Sequence, residues 1–227
     1  MTFRAGIVLV ACAIACAHGE PRPAELLRER PAPGVFVQAA ATCAPSEPRI
    51  PLNDPPWRGM MLLDYVVRED GGLGDVRTEI LDGKPPALQA VATVKEWIAS
   101  SCRFSPATLD GVPKSVELGQ FIQFGPPRRE VPMLQAGMTK PSVTACAGPR
   151  PLMPQDARER ALGGTIIVQY VVETDGGISD IELKAPGPVV FFRAVREWLS
   201  GCRFEPATDA GRAVAVRIVQ PFIFKLQ

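Results

Sequence analysis

Two tandem α+β units, each a three-stranded antiparallel sheet with one or two helices on one face, form the fold class that three observations predict. The first is a repeated string. Cys102-Arg103-Phe104-Ser105-Pro106-Ala107-Thr108 and Cys202-Arg203-Phe204-Glu205-Pro206-Ala207-Thr208 agree at six of seven positions, and an internal repeat sets the architecture before any single element does. The second is alternating apolar stretches joined by glycine turns: Tyr65-Val66-Val67 with Asp70-Gly71-Gly72, and Tyr170-Val171-Val172 with Asp175-Gly176-Gly177. The third is a helical apolar stripe carrying a tryptophan, Trp97 in one copy and Trp198 in the other. Glu96 and Glu197, Gly111 and Gly211, Phe124 and Phe224, and Cys43 and Cys146 correspond in the same register.

The elements of one unit read most clearly in the second copy. Residues 154–162 predict a short helix: Pro154 suits the first turn, Asp156 and Glu159 suit its positive end, and Gly163-Gly164 stops it. Residues 165–174 alternate, with Ile166, Val168, Tyr170 and Val172 on an inner face and Thr165, Ile167, Gln169, Val171 and Glu173 on the other. Asp175-Gly176-Gly177 is a hairpin turn, and residues 178–183 return as the second strand. Residues 190–199 form a helix in which Phe191, Ala194, Val195, Trp198 and Leu199 fall at i, i+3, i+4, i+7 and i+8. Gly201 ends it. A last strand spans residues 213–224, with Val214, Val216, Ile218, Gln220, Phe222 and Phe224 inward.

The first copy follows the same order with one loss. Asn53-Asp54-Pro55-Pro56-Trp57 stands where the short helix belongs, and paired prolines oppose a full helix there. Met61, Leu63, Tyr65 and Val67 line its first strand; Ala90, Val94, Trp97 and Ile98 its helix; Val116, Leu118, Ile122 and Phe124 its last strand. The resulting organisation is a leader at residues 1–19, a proline-rich linker at 20–42, a first domain at 43–125, a linker at 126–143 and a second domain at 144–227. The 24 prolines cluster in the linkers, and 46% hydrophobic residues argue for a folded chain.

A net charge of +1 offers no field for nucleic acid. The leader has one basic residue, Arg4, then an apolar run at residues 5–17, about 13 residues against the roughly 20 needed to cross a bilayer. This is the form of a secretory signal. Three fates stay open: cleavage near Ala17, lipid attachment at Cys16 or Cys12, and retention as a short anchor. The other four cysteines, one pair per copy in an exported chain, read as disulfides. Four cysteines allow three pairings, and units that each close on themselves select Cys43–Cys102 and Cys146–Cys202. Each closure is worth about 4 kcal/mol in the chain-entropy account.

Several of these residues together resemble the C-terminal domain of the TonB family. They are the proline-started short helix, the Tyr170-Val171-Val172 strand with its Asp-Gly turn, and the amphipathic helix carrying Trp198. Most specific is Arg203-Phe204-Glu205-Pro206-Ala207, followed by Gly211 and a strand ending Gln220-Pro221-Phe222-Ile223-Phe224. The resemblance covers most of residues 145–227 and, more loosely, 43–124, so the fold class becomes two tandem TonB C-terminal-like units, the first degenerate. In that family the domain is non-catalytic and periplasmic, and docks an extended peptide of an outer-membrane transporter beside its last strand. The resemblance therefore implies a Gram-negative-type envelope location, soluble or lipid-anchored, and no cofactor. It also implies a partner that is a transporter peptide, another envelope protein or the cell wall, within TonB-type transport. A family member that transduces energy carries a full membrane helix and a longer proline-rich span than residues 20–42 supply.

The implied docking residues are Arg217, Val219, Pro221 and Ile223, on the outward face of the last strand. Physical chemistry supports an edge position, because Pro221 donates no ladder hydrogen bond, and strand addition at an edge binds peptides. An alternative stays open, in which this apolar face packs against the other copy or a terminus. The first copy presents Ser115, Glu117, Gly119, Phe121 and Gln123 there, a less apolar set. Catalytic and metal readings find no support. The one histidine, His18, lies in the leader, no Cys-x-x-Cys pair occurs, and Asp70, Asp75, Asp175 and Asp180 read as turn residues. Arg103 and Arg203 are expected to bridge to Glu96 and Glu197 or to hold an anion. Gln120 and Gln220 are expected to satisfy backbone groups near the sheet end.

Overall fold

Alternation of apolar residues against a helix stripe builds an antiparallel sheet in each half of the computed structural model, which describes residues 35–44, 48, 59–83, 88–124 and 129–225. All of these fall within one compact unit, Ala32–Gln227. In chain order the first half contains β1 (Phe36–Val37), β2 (Ala40–Cys43), β3 (Gly59–Val67), β4 (Leu73–Gly83), α1 (Leu88–Ser101), β5 (Cys102–Ser105), β6 (Ala107–Leu109), β7 (Val112–Lys114) and β8 (Val116–Phe124). The second half contains β9 (Ser142–Ala145), α2 (Gln155–Glu159), β10 (Gly164–Val172), β11 (Ile178–Leu183), β12 (Gly187–Pro188), α3 (Val189–Ser200), β13 (Arg203–Glu205), β14 (Ala207–Asp209), β15 (Arg212–Val214) and β16 (Val216–Phe224).

The main sheets run β8–β3–β4 and β16–β10–β11, all antiparallel, with the first strand central in each. Met61, Leu63, Tyr65 and Val67 on β3, and Ile166, Val168, Tyr170 and Val172 on β10, are buried against Val94, Trp97 and Ile98 of α1 or Phe191, Val195 and Leu199 of α3. Phe191 stacks on Phe224 with ring centroids 4.3 Å apart, and Trp198 meets Phe222 edge-on at 6.1 Å. Burying these apolar surfaces is the main stabilising term. Tyr65 meets Phe104 and Tyr170 meets Phe204, so the Arg-Phe string of each half seats its phenylalanine on the central strand.

Smaller ladders staple the ends. β2 pairs with β5 and β9 pairs with β13, and Cys43–Cys102 and Cys146–Cys202 are disulfides spanning 59 and 56 residues. β6 with β7, and β14 with β15, form tight hairpins around Asp110-Gly111 and Ala210-Gly211.

The fold departs from the sequence-based expectations in several places. Residues 36–37 and 40–42, expected as spacer, belong to strands, β1 pairing with β6 and β2 with β5. The helix expected over residues 154–162 is only α2, because Ala161 turns to φ +51. The last strand expected over residues 213–224 is broken at Ala215. β15 belongs to the hairpin with β14, and only β16 joins the main sheet. Helices were expected on one face of each sheet; the first sheet is instead covered on both. Its outward residue Leu62 is buried, and Phe121 meets Phe192 of α3 edge-on at 5.1 Å. The outward face of β10 is buried at Gln169 and Val171 as well. Asn53–Trp57, His18, Cys12, Cys16 and the whole leader lie outside the described residues.

Candidate docking edge

Each half places its last strand at one side of its sheet, so each offers one edge where an added strand would pair. The two edges have different surroundings. On β8, the short strand β12 from the second half adds antiparallel, with Gly187 opposite Gly119 and Pro188 opposite Leu118. The approach is close enough that a Cβ on Gly119 would lie 2.6 Å from a methyl of Val189. Glycine at 119 is what lets β12 and α3 reach the sheet. Beside this contact, Asp64 of β3 is 3% exposed and accepts a hydrogen bond from Arg193 of α3 at 3.0 Å. Burial pushes the Asp64 carboxyl up from its ordinary value, and Arg193 opposes the shift. Gln38 accepts the Thr165 amide at 2.9 Å, and Arg160 donates to the Ser115 carbonyl at 2.5 Å. The two halves thus share polar ties as well as apolar packing.

On β16, the Arg217 amide donates to the Pro132 carbonyl at 2.8 Å, and Met133 makes a parallel bridge to Arg217. Backbone groups alternate in direction along a strand. If the Arg217 amide points away from β10, then so do those of Val219 and Ile223, while Pro221 has none. Val219 and Ile223 are 40% and 64% exposed, and Ile167, which pairs beside Pro221, is 42% exposed. Of the expected docking residues, Val219, Pro221 and Ile223 lie together on an open edge. Arg217 differs: it is half-buried, its amide is engaged, and its Nε has no hydrogen-bond partner. Burial raises the carboxyl of nearby Glu182, and the Arg217 charge opposes this.

Other expected roles resolve locally. Asp70 and Asp175 accept the amides of Gly72 at 2.7 Å and Gly177 at 2.8 Å, closing the two turns. Arg103 donates to the Cys102 carbonyl, a backbone bond rather than the expected bridge to Glu96. Gln220 is exposed and accepts from the Tyr170 hydroxyl at 2.9 Å, a side-chain role in place of the expected backbone one. Burial pushes that hydroxyl up to about 12. Trp198 donates its indole N–H to the Gly148 carbonyl at 2.8 Å.

Sequence reasoning missed Gly187, Pro188 and Phe192, which close the first half's edge and face. Their signal was present. Phe192 doubles an aromatic outside the helix stripe, and a proline-glycine-proline string precedes the helix.

Residues 149–226 match the family model of the Gram-negative bacterial TonB protein C-terminal. The curated Protein TonB of Pseudomonas aeruginosa is 33% identical over 78 residues, covering 34% of this chain and 23% of that protein. The chain therefore spans about a quarter of that relative's length. The solution NMR structure of the Pseudomonas aeruginosa TonB CTD is 30% identical and covers 41% of this chain and 90% of its own, with a TM-score of 0.33. Among the described residues, no helix is long and apolar enough to cross a membrane.

Proposed function

We propose that this chain is a non-catalytic envelope protein that docks an extended peptide along residues 219–223 of β16. The partner is a transporter segment or another envelope protein, within TonB-type transport. One observation carries the reading: of two corresponding edges, that of β8 is paired at Leu118 and Gly119 by β12 and covered at Phe121 by Phe192, while that of β16 is exposed at Val219 and Ile223. An open apolar edge is a liability unless something pairs with it, and strand addition is a common mode of peptide binding. Equal strand order and equivalent disulfides support tandem TonB C-terminal-like units at residues 43–125 and 144–227. Periplasmic placement fits these disulfides. Anchoring through Cys12 or Cys16, or through a retained leader that would make the chain a transducer, concerns residues outside those described.

A second reading, a structural envelope protein whose edges pair internally, is favoured by the β12–β8 ladder and by the Pro132–Arg217 bond. Substituting Val219→Asp and Ile223→Asp separates the two. A docking edge loses its envelope partner and keeps its melting temperature. Unchanged partner affinity after both substitutions sinks the edge assignment, and lost stability favours internal pairing.

A further inference from the structure

We infer that the segment joining the two halves is a built-in competitor for the β16 edge, occupying its first position as an added parallel strand. This rests on reading β16 as the docking edge. The segment runs parallel to β16 for one bridge only, Met133 beside Arg217, with the Pro132 carbonyl on the Arg217 amide. It then leaves the edge through a turn closed by the Met138 amide on the Gln135 carbonyl at 3.2 Å. Met133 remains 49% exposed.

Two pins hold it there. Upstream, Arg129 donates to both carboxylate oxygens of Glu173 and to Ser179, with Asp180 at 3.7 Å. Downstream, the Thr139 amide donates to the Thr208 carbonyl at 2.9 Å, the Thr208 amide donates to the Thr139 hydroxyl at 2.7 Å, and the two hydroxyls lie 3.0 Å apart. One edge bond between two pins is a weak occupant held at high local concentration.

Donor accounting shows what is at stake. With the Arg217 amide taken and Pro221 lacking one, only Val219 and Ile223 offer outward N–H groups to a partner. A peptide that pairs as far as Arg217 must displace Pro132 and Met133. The joining segment therefore lowers the apparent affinity of the edge by the fraction of time it is seated, and loosening either pin raises it.

The test uses the full chain with its disulfides formed, and a synthetic peptide of residues 130–136, Glu-Val-Pro-Met-Leu-Gln-Ala. The double variant Arg129→Ala/Thr139→Ala removes the side-chain bonds of both pins, leaving only the Thr139 amide on the Thr208 carbonyl, and Arg129→Ala alone serves if the double variant folds poorly. Amide exchange followed by NMR is expected to be about tenfold faster at Arg217 in the variant than in the parent. Added peptide is expected to restore that protection and to slow Val219 and Ile223, with an apparent affinity about tenfold above that for the parent. Unchanged Arg217 exchange after release, or equal peptide affinity for parent and variant, overturns the inference. The docking reading fails separately: if the peptide protects the edge but Val219→Asp and Ile223→Asp leave envelope-partner binding intact, competition stands and the functional assignment falls.

Discussion

β8 and β16 hold the same place in their sheets, yet one is an interior strand and the other a surface. β8 has β3 on one side and β12 on the other, with α3 across its outward face. β16 has β10 on one side and a single contact from the joining segment on the other. The residues at corresponding positions explain the difference. Gly119 leaves room for the Val189 side chain of α3, which a side chain there would meet, and Phe121 offers an aromatic to Phe192 where Pro221 offers none. The inner faces are alike, because both must bury the same stripe. The outer faces differ, and that of the first half carries α3 of the second. The polar interiors diverged too: Tyr170 finds Gln220, whereas the Tyr65 hydroxyl and the Gln120 carbonyl oxygen are buried without partners.

The largest effect that sharpens this comparison is expected at Phe192. Phe192→Ala removes a buried ring from between the halves and should cost about 3–5 kcal/mol of stability, while Pro221→Ala on the open edge should change it by less than about 0.5 kcal/mol. Denaturant midpoints of both variants check this, and equal small losses would mean the halves do not depend on each other. A middle effect is expected at Arg193. Arg193→Ala leaves Asp64 buried without its charge partner and should cost about 1–3 kcal/mol at neutral pH. Burial already raises the Asp64 carboxyl, so protonation favours the folded state. The loss should therefore shrink as pH falls, and a pH-independent loss would place the cost in packing rather than charge.

The smallest effect is on the joining segment. The hydrogen bond from Arg129 holds the Glu173 carboxyl below its ordinary value of 4.5, with burial opposing and Ser179 assisting. A lowered folded value means the contribution is present above the unfolded value and is lost as pH falls through the folded one. Acidification below 4.5 should thus lower the protection of the Arg217 amide, measured against its intrinsic exchange rate at the same pH, before global unfolding. Glu173→Gln should show the faster exchange already at neutral pH.

Periodicity made most of the elements legible. The stripes Ile166-Val168-Tyr170-Val172 and Phe191-Val195-Leu199 specify a strand and a helix with one buried face each, since burying apolar surface dominates the local choice. The hairpin turns were equally readable, because Gly71 and Gly176 adopt positive φ and the preceding aspartates close the turns. The break at Ala215 was hidden, because Val214 and Val216 continue the alternation across it, and only the pairing of β15 with β14 rather than with the sheet reveals it. Residues 36–42 read as spacer because their pairing partners, β5 and β6, lie far along the chain.

By itself, then, the sequence determined the strands and helix of each half, their inner faces and their turns, because these follow from local hydrophobic period and backbone sterics. Which edge is closed was decided only in the tertiary structure. The proline-glycine-proline string and Phe192 are visible in the sequence but do not name the strand and ring they meet, and a contact between residues so distant in sequence exists only once both sheets have formed and one has found the other.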